Sequence, residues 1–195
     1  SGVTTRIDTY FFSLYPNKYL EDRITSAIIS EDEMSDNASP ALYDIRRKIR
    51  SASSRVRDQL DKMVRSQHYS KFLRESIVTM RNGRYVVPVK SECKNDIPGL
   101  VHDVSATGST YFIEPMSAVS ANNALRELEL REQKEIERIL AELSAEASAH
   151  ADDILANVSV LVQLDVIFAK AKLAYKMRAW APEMNDRGYI KLIKA

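Results

Sequence analysis

The sequence predicts a mainly α protein with a small β insert, in which two long antiparallel helices carry a four-stranded antiparallel sheet above a helical base. Apolar residues recur every three or four positions on both sides of a β-rich stretch at residues 77–115. Glycine occurs only five times in 195 residues, which favours helices over a glycine-rich enzyme scaffold. The expected architecture is therefore a compact β element at the end of two rods.

Composition excludes some classes of protein. The hydrophobic content of 45% is enough to bury a core, and a formal net charge of +1 leaves only local patches to attract nucleic acid. Cys93 stands alone, so there is no internal disulfide and a cytoplasmic location is expected. No apolar run approaches the roughly 18 residues of a membrane span, and no membrane partner is expected.

Before the insert, the pattern predicts three helices. Two short amphipathic helices flank Pro16-Asn17, and residues 31–37 form a polar connector. Ser39 is a helix N-cap with Pro40 at the first helical position, and this helix extends to about Gln67. Its apolar stripe comprises Leu42, Ile45, Ile49, Ala52, Val56, Leu60 and Met63.

The insert is the only convincing β segment before the C-terminal tail. Asn82-Gly83 supplies the positive φ angles of a two-residue hairpin turn between Ile77–Arg81 and Arg84–Lys90. Ile97–Val104 and Thr110–Glu114 form a second candidate pair. Four short strands admit several orders, so the topology stays open.

After the insert, a helical stripe runs to about Asn157, and His150 continues it as a packed interface residue. A further helix, Val160–Met177, is apolar on most sides and is expected to be deeply buried. Tyr189–Ile193 reads as a final strand.

The two long helices differ in charge. Residues 42–74 carry ten basic side chains against three acids, whereas residues 126–146 carry seven glutamates against four bases. In one interpretation the opposite charges attract the helices to each other, with exposed pairs contributing about 0–1 kcal/mol each. In the other, part of the basic helix follows a phosphate backbone.

Catalytic patterns are missing. Neither a GxxxxGK[ST] nor a GxGxxG loop occurs, so no nucleotide cofactor is expected in this chain. The three histidines are dispersed, and His102-Asp103 lacks the further ligands of a metal site. Cys93 lies in a polar loop without a neighbouring histidine, and no GxSxG elbow is present. We therefore expect no catalytic residue and no metal.

The insert does carry groups that commonly contact phosphates, namely cations and hydroxyls. These candidate nucleic-acid-binding residues are Arg81, Arg84, Lys90, Lys94, Thr107 and Ser109. The alternative is that they are ordinary solvated hairpin residues, since nearby acids dilute the positive field. Those acids are Glu92, Asp96, Asp103 and Glu114.

Several segments of the chain together carry a family resemblance. They are SDNASPAL (35–42) with Ile45-Arg46, RNGRYVVPVK (81–90), GLVHD (99–103), SATGSTYFIEP (105–115), Asn122-Asn123, and Leu164-Asp165 with Ala169-Lys170-Ala171. These segments resemble the second bacterial branch of the MutS proteins, which lacks the mismatch-reading domain and ends in an Smr nuclease domain. The resemblance covers about residues 30–195.

The resemblance implies a core, lever and clamp region. Residues 1–38 and 158–188 would be the helical core, 39–76 and 116–157 the levers, 77–115 the clamp, and 189–195 the start of an ATPase domain. ATP, Mg²⁺ and nuclease activity would belong to other domains of a homodimeric parent protein. The implied partners are branched or duplex DNA, in suppression of recombination, and ribosomal RNA at collided ribosomes. The alternative is a structural coupler or dimerisation arm that touches no nucleic acid.

Overall fold

A computed structural model describes Thr5, residues 7–180 and residues 184–190. Contacts divide the chain into two compact units, residues 19–146 and the two terminal parts up to Lys18 and from Ala147. The predicted class, mainly α with a four-stranded antiparallel sheet, is confirmed. The elements are α1 (Asp8–Phe12), α2 (Lys18–Ala27), β1 (Ile28–Ser30), β2 (Glu33–Met34), α3 (Pro40–Val64), α4 (Gln67–Ser70), β3 (Thr79–Arg81), β4 (Arg84–Lys90), β5 (Gly99–Val104), β6 (Thr110–Pro115), α5 (Met116–Ala149) and α6 (Ala151–Met177).

Helix α3 begins where its local sequence predicts. The hydroxyl of Ser39 accepts a hydrogen bond from the backbone N–H of Leu42 at 2.9 Å, and Pro40 occupies the first turn. This cap satisfies one of the donors that a helix start leaves unpaired. The helix ends at Val64, slightly before the predicted Gln67.

Contacts between α3 and α5 show that the two helices are antiparallel. Near the start of α3, Ser39 Oγ donates to Glu135 at 2.7 Å, and Arg46 Nε donates to Glu132 at 2.6 Å. Near its end, Gln59 donates to the carbonyl of Ser117 at 3.0 Å. As residue numbers rise along α3, those of the α5 partners fall.

The sheet has the strand order β3-β4-β6-β5, with antiparallel neighbours. The turn between β3 and β4 is as predicted, because Asn82 and Gly83 both have positive φ, at 53° and 74°. One face of the sheet buries Val87, Val89 and Ile113 in a core with α3. The α3 residues in that core are Val56, Leu60 and Val64.

Strand β5 needs a glycine at its first residue. A Cβ atom on Gly99 would lie 2.3 Å from the carbonyl oxygen of Glu114 and 2.6 Å from Ile113 Cγ2. Only a residue without a side chain lets β5 approach β6 this closely.

Two further strands precede α3, so the insert is not the only β segment. β1 and β2 form an antiparallel hairpin that begins in the last residues of the second predicted helix and ends in the stretch read as a connector, and Met34 packs with Ala27 and Leu42. Ile139 and Leu143 of α5 complete that cluster. The strands are too short to leave a pattern in sequence, and the connector prediction was wrong because tertiary packing selects the hairpin.

The C-terminal helices also differ from the prediction. α5 ends at Ala149, and α6 begins at Ala151, so the break lies at His150 and not near residue 158. His150 is the residue that precedes α6, with φ −106° and ψ 14°, and its ring is 42% exposed. The prediction of a packed interface histidine was therefore wrong.

Helix α6 is exposed where deep burial was expected. Leu164 is its one buried residue among those described, whereas Leu161 and Val162 are more than half exposed. The prediction of deep burial, which rested on the apolar composition of α6, was therefore wrong within this chain. An 18-residue window of α6 has a mean hydropathy of 1.7, so by length and composition this helix could cross a membrane, contrary to the sequence reading. Buried helices of water-soluble proteins share those two properties.

The predicted strand Tyr189–Ile193 lies largely outside the described residues. Its first two residues, Tyr189 and Ile190, have no regular secondary structure, and residues 191–193 are not described.

Candidate nucleic-acid interface

Four of the predicted site residues lie at the same end of the sheet. Lys90 at the end of β4 pairs with Thr110 at the start of β6, and the N–H of Ser91 donates to the carbonyl of Ser109 at 3.1 Å. We call residues 90–94 and 105–110 the loop end. It brings Lys90 and Lys94 to the same end of the sheet as the hydroxyls of Thr107 and Ser109.

The hydroxyls of the loop end are ordered by the turn that carries them. Ser105 Oγ accepts from the N–H of Thr110 at 3.1 Å, and Gly108 has a φ of 70°. Thr107 Oγ1 and Ser109 Oγ lie 2.8 Å apart, and both residues are exposed. Hydroxyls in this arrangement can reorient to donate to a phosphate oxygen.

Both lysines of the loop end are positioned but keep free donors. Lys90 Nζ donates to the carbonyl of Lys71 at 2.9 Å, and Lys94 Nζ lies 4.8 Å above the ring of Tyr111. An ammonium group has three N–H donors, so one such contact leaves others for a ligand. Neither lysine forms an ion pair among the described residues.

One carboxylate lies beside these lysines. The pKa of Glu92 is below its ordinary value, because its own backbone N–H and the hydroxyl of Ser91 bond to it. Ser91 Oγ donates to Glu92 Oε2 at 3.2 Å. The loop end therefore carries an ionised acid, and its positive field is weaker than two lysines alone would give.

Arg81 lies over the sheet, next to the loop end. Its Nε is 3.1 Å from Asp103 Oδ2, and its guanidinium stacks 4.0 Å from the ring centre of Phe112. The Asp103 charge offsets that of Arg81, and the ring holds the guanidinium against the sheet. Arg81 also borders a cleft of about 210 Å³ with Arg74 and Thr110.

Arg84 belongs to a buried network and not to an open surface. Its Nη1 donates to Glu114 Oε1 at 2.9 Å and to Oε2 at 3.2 Å, and its Nη2 donates to Asn123 Oδ1 at 2.7 Å. Glu114 is 0% exposed. A charge buried to that degree needs paired donors, and Arg84 supplies them.

Two more residues complete this Glu114 network. His102 Nε2 lies 2.5 Å from Glu114 Oε2, and Asn122 Nδ2 donates to Oε1 at 2.8 Å. Asn122 also exchanges hydrogen bonds with the backbone of Tyr85, at 3.1 and 3.2 Å. The network therefore joins β4, β5 and β6 to the first turns of α5.

The donors keep Glu114 ionised. Burial acts to raise the pKa of Glu114, and hydrogen bonds from Asn122, His102 and Arg84 more than offset that effect. The pKa of this carboxyl consequently lies below its ordinary value. Within the part of the chain that the structure describes, no cluster of His, Cys, Asp and Glu side chains has the grouping of a metal site.

The structure thus separates the predicted site residues into two sets. Lys90, Lys94, Thr107 and Ser109 share the loop end, whereas Arg84 lies at the other end of β4, about 20 Å away at 3.3 Å per residue. Sequence reasoning missed the network, treating Glu114 as an acid that merely dilutes the field. The available signal was its position between Ile113 and Pro115, in a strand whose neighbours are apolar.

Comparison with known proteins identifies the family. No family model matches the chain. It is 52% identical over 181 residues to the Endonuclease MutS2 of Ruminiclostridium cellulolyticum, covering 93% of this chain and 23% of that protein. The chain corresponds to one segment of the MutS2 proteins. The MutS2 endonucleases of Acetivibrio thermocellus and Caldanaerobacter subterraneus are 51% and 50% identical to it.

The family resemblance read from the RNGRYVVPVK and FIEP segments is therefore confirmed. The chain spans about a quarter of the length of the MutS2 relatives, each of which extends well beyond the matched region. These relatives are named as endonucleases.

Proposed function

We propose that this chain is the non-catalytic core, lever and clamp region of a MutS2-type ATPase, and that it binds branched or double-stranded DNA. Residues 39–76 and 116–157 are the levers, 77–115 the clamp, and the core comprises 1–38 and 158–188. Residues 189–195 begin the ATPase domain. ATP, Mg²⁺ and Smr nuclease chemistry belong to the remaining domains of a cytoplasmic homodimer that suppresses recombination and also engages ribosomal RNA at collided ribosomes.

The observation that supports this proposal best is the loop end. It places Lys90, Lys94, Thr107 and Ser109 at the same end of the sheet, and the ammonium groups lack carboxylate partners among the described residues. Cations and hydroxyls of this kind commonly contact the phosphate backbone of nucleic acids. Arg81 and Arg84 remain candidates, but each must leave a carboxylate partner to contact a phosphate.

The lever helices can transmit motion to this surface. The sheet shares a hydrophobic core with α3, and the Glu114 network fixes it to α5. Rigid coupling of this kind turns a small rotation at the base of the levers into a larger displacement of the loop end.

Titration of DNA binding against salt tests the proposal. Anisotropy of a labelled four-way junction and of a plain duplex is measured with the unaltered chain and with Lys90→Gln/Lys94→Gln. We expect the double variant to bind more weakly and to reduce the slope of log K against log salt by about 1–2, at roughly 0.9 for each lost phosphate contact. Arg126→Gln/Lys134→Gln on α5 makes the same charge change and is the control. Unaltered binding by the Lys90/Lys94 variant would contradict the proposal.

A second candidate function is the structural coupler, and the Glu114 network favours it. Arg84 has its guanidinium engaged by Glu114 and Asn123, which is the arrangement of a residue that transmits position and contacts no ligand. If the coupler is correct, charge reversal at Lys90 and Lys94 leaves nucleic-acid affinity of the full-length protein unchanged. Loss of affinity in that variant favours the clamp.

A further inference from the structure

A row of basic residues follows the outer face of α3. Lys48, Arg55 and Lys62 are spaced seven residues apart, close to two helical turns, and Arg65 follows directly after the helix. All four are exposed. We call these four residues the α3 row, and it is about 25 Å long at 1.5 Å per residue.

The α3 row lies opposite the face that α3 buries. Val56, Leu60 and Val64 are between 0% and 1% exposed and pack against the sheet. At 100° per residue, Leu60 lies about 140° around the helix from Arg55. The row consequently faces away from the hydrophobic core.

Most of the row has no neutralising partner. Lys48 pairs with Asp44 at 2.6 Å, but the described ion pairs include none for Arg55, Lys62 or Arg65. Arg55 Nε donates to the carbonyl of Ser51 at 3.3 Å, which leaves its charge in place.

Attraction between the two long helices does not account for these cations. Arg46 and Glu132 form the ion pair that joins α3 to α5 in the described part of the chain, and Arg46 lies off the row. The α5 arginines instead pair within their own helix, Arg126 with Glu129 and Arg131 with Glu127. The positive charge of the row is therefore available to another molecule.

The surface along the row is open and shallow. Arg47, Lys48, Ser51 and Arg55 line a depression of about 330 Å³, and Lys62 and Arg65 line another of about 280 Å³ with Asp58 and Asp61. The residues that line these two depressions include no aromatic side chain on which a base could stack. A straight, rigid row of cations fits the backbone of a double helix better than an unstacked single strand.

We infer that the α3 row is a second DNA-binding surface, which holds the phosphate backbone of a duplex along the lever while the loop end contacts it elsewhere. This inference rests on the proposed function of the chain. Contacts to phosphate oxygens carry no sequence information, so we expect binding through the row to be independent of base sequence.

The test uses the whole chain and a labelled 30-bp DNA duplex. Arg55→Gln/Lys62→Gln/Arg65→Gln is compared with Arg126→Gln/Arg131→Gln/Lys134→Gln, which makes the same change of charge on α5. The slope of log K against log salt is negative. We expect the row variant to reduce its magnitude by about 2–3, and the α5 variant to reduce it by less than 1. Circular dichroism and thermal unfolding of both variants establish that they are folded.

The remaining outcomes separate this inference from the proposed function. If the Lys90/Lys94 variant weakens binding and the row variant does not, the inference about the α3 row is wrong and the proposed role of the loop end is supported. If only the row variant weakens binding, the inference about the row is supported and the proposed role of the loop end is wrong. A preference of the row for single-stranded DNA, for duplex RNA or for an acidic protein overturns duplex DNA as its occupant. Absence of binding by the unaltered chain at low salt overturns both.

Discussion

Arg84 donates to both carboxylate oxygens of Glu114, at 2.9 and 3.2 Å, from a position 30 residues earlier in the chain. The carboxylate is fully buried, whereas the guanidinium is 25% exposed at the edge of the network. A buried ion pair usually stabilises a fold no more than a well-packed apolar pair does, but losing one partner leaves a charge buried without compensation. Removal of Arg84 is therefore expected to lower the stability of the fold, whether or not Arg84 contacts nucleic acid.

Glu114→Gln should lower the free energy of unfolding by about 2–3 kcal/mol, below the usual 3–5 for a broken buried pair, because Arg84 retains access to water. The amide keeps the size of the side chain but removes the charge that Arg84 and His102 face. Urea unfolding at pH 7, followed by circular dichroism, measures the change.

Glu127→Gln is the matched control for that experiment. Glu127 pairs with Arg131 at 2.5 Å on the surface of α5, where both side chains are more than 60% exposed. Its removal should change stability by less than about 0.5 kcal/mol. Equal losses from Glu114→Gln and Glu127→Gln would show that burial does not govern the Glu114 pair.

Glu135 should control part of the acid denaturation. Hydrogen bonds from Arg138 and Ser39 lower its pKa to about 2. A carboxyl whose folded pKa lies below the unfolded one stabilises the fold above pH 4.5, and this contribution disappears as the pH falls from about 4.5 to about 2. Glu135→Gln should therefore reduce stability by about 1 kcal/mol at pH 7, a figure reduced for solvent screening, and by much less near pH 2.

Urea unfolding at a series of pH values measures this difference. Arg138→Gln removes the largest cause of the low pKa and should flatten the same pH window. A difference between Glu135→Gln and the unaltered chain that stays constant from pH 7 to pH 2 would contradict the assignment.

Gly99→Ala should destabilise the sheet by about 2–3 kcal/mol, within the range for overpacking. The added Cβ would lie 2.3 Å from the backbone oxygen of Glu114, and backbone cannot move aside without breaking the β5–β6 pairing. Gly83→Ala is the comparison, because nothing lies within 4 Å of its Cβ position and only its φ of 74° is unfavourable. Gly83→Ala should cost about 1 kcal/mol. Thermal unfolding ranks the two, and a larger loss for Gly83→Ala would refute the close-approach argument.

Local chemistry explains which features the sequence predicts correctly. Asn82-Gly83 and Ser39-Pro40 act through their own backbone preferences and their nearest neighbours, so the hairpin turn and the start of α3 are found where expected. The stripe of α3 likewise predicts its buried face, because Leu42, Val56 and Leu60 recur at helical spacing.

Distant partners explain what the sequence does not reveal. Glu114 is buried because Arg84, His102 and Asn122 converge on it from three other elements, and no local pattern encodes that meeting. The β1–β2 hairpin depends in the same way on Ile139 and Leu143, more than a hundred residues later. The ion pairs of Arg81 with Asp103 and of Arg84 with Glu114 could not be predicted for the same reason, because the sequence does not show which cations a carboxylate will pair with.

The hydrogen bond between Ser53 and Tyr85 provides a test of how firmly α3 holds the sheet. Ser53 Oγ and Tyr85 Oη are 2.5 Å apart in a half-buried position, joining the middle of α3 to the start of β4. Ser53→Ala and Tyr85→Phe should each lower stability by about 1 kcal/mol, the usual contribution of a partly buried hydrogen bond. Because both remove the same bond, the double variant should lose about as much as either single one, a coupling of about 0.5–1 kcal/mol measured by urea unfolding. Ser54→Ala, on the exposed neighbour of Ser53, is the control. Additivity of the two single variants within about 0.3 kcal/mol would mean that the hydroxyls do not stabilise each other and that apolar packing alone holds the sheet to α3.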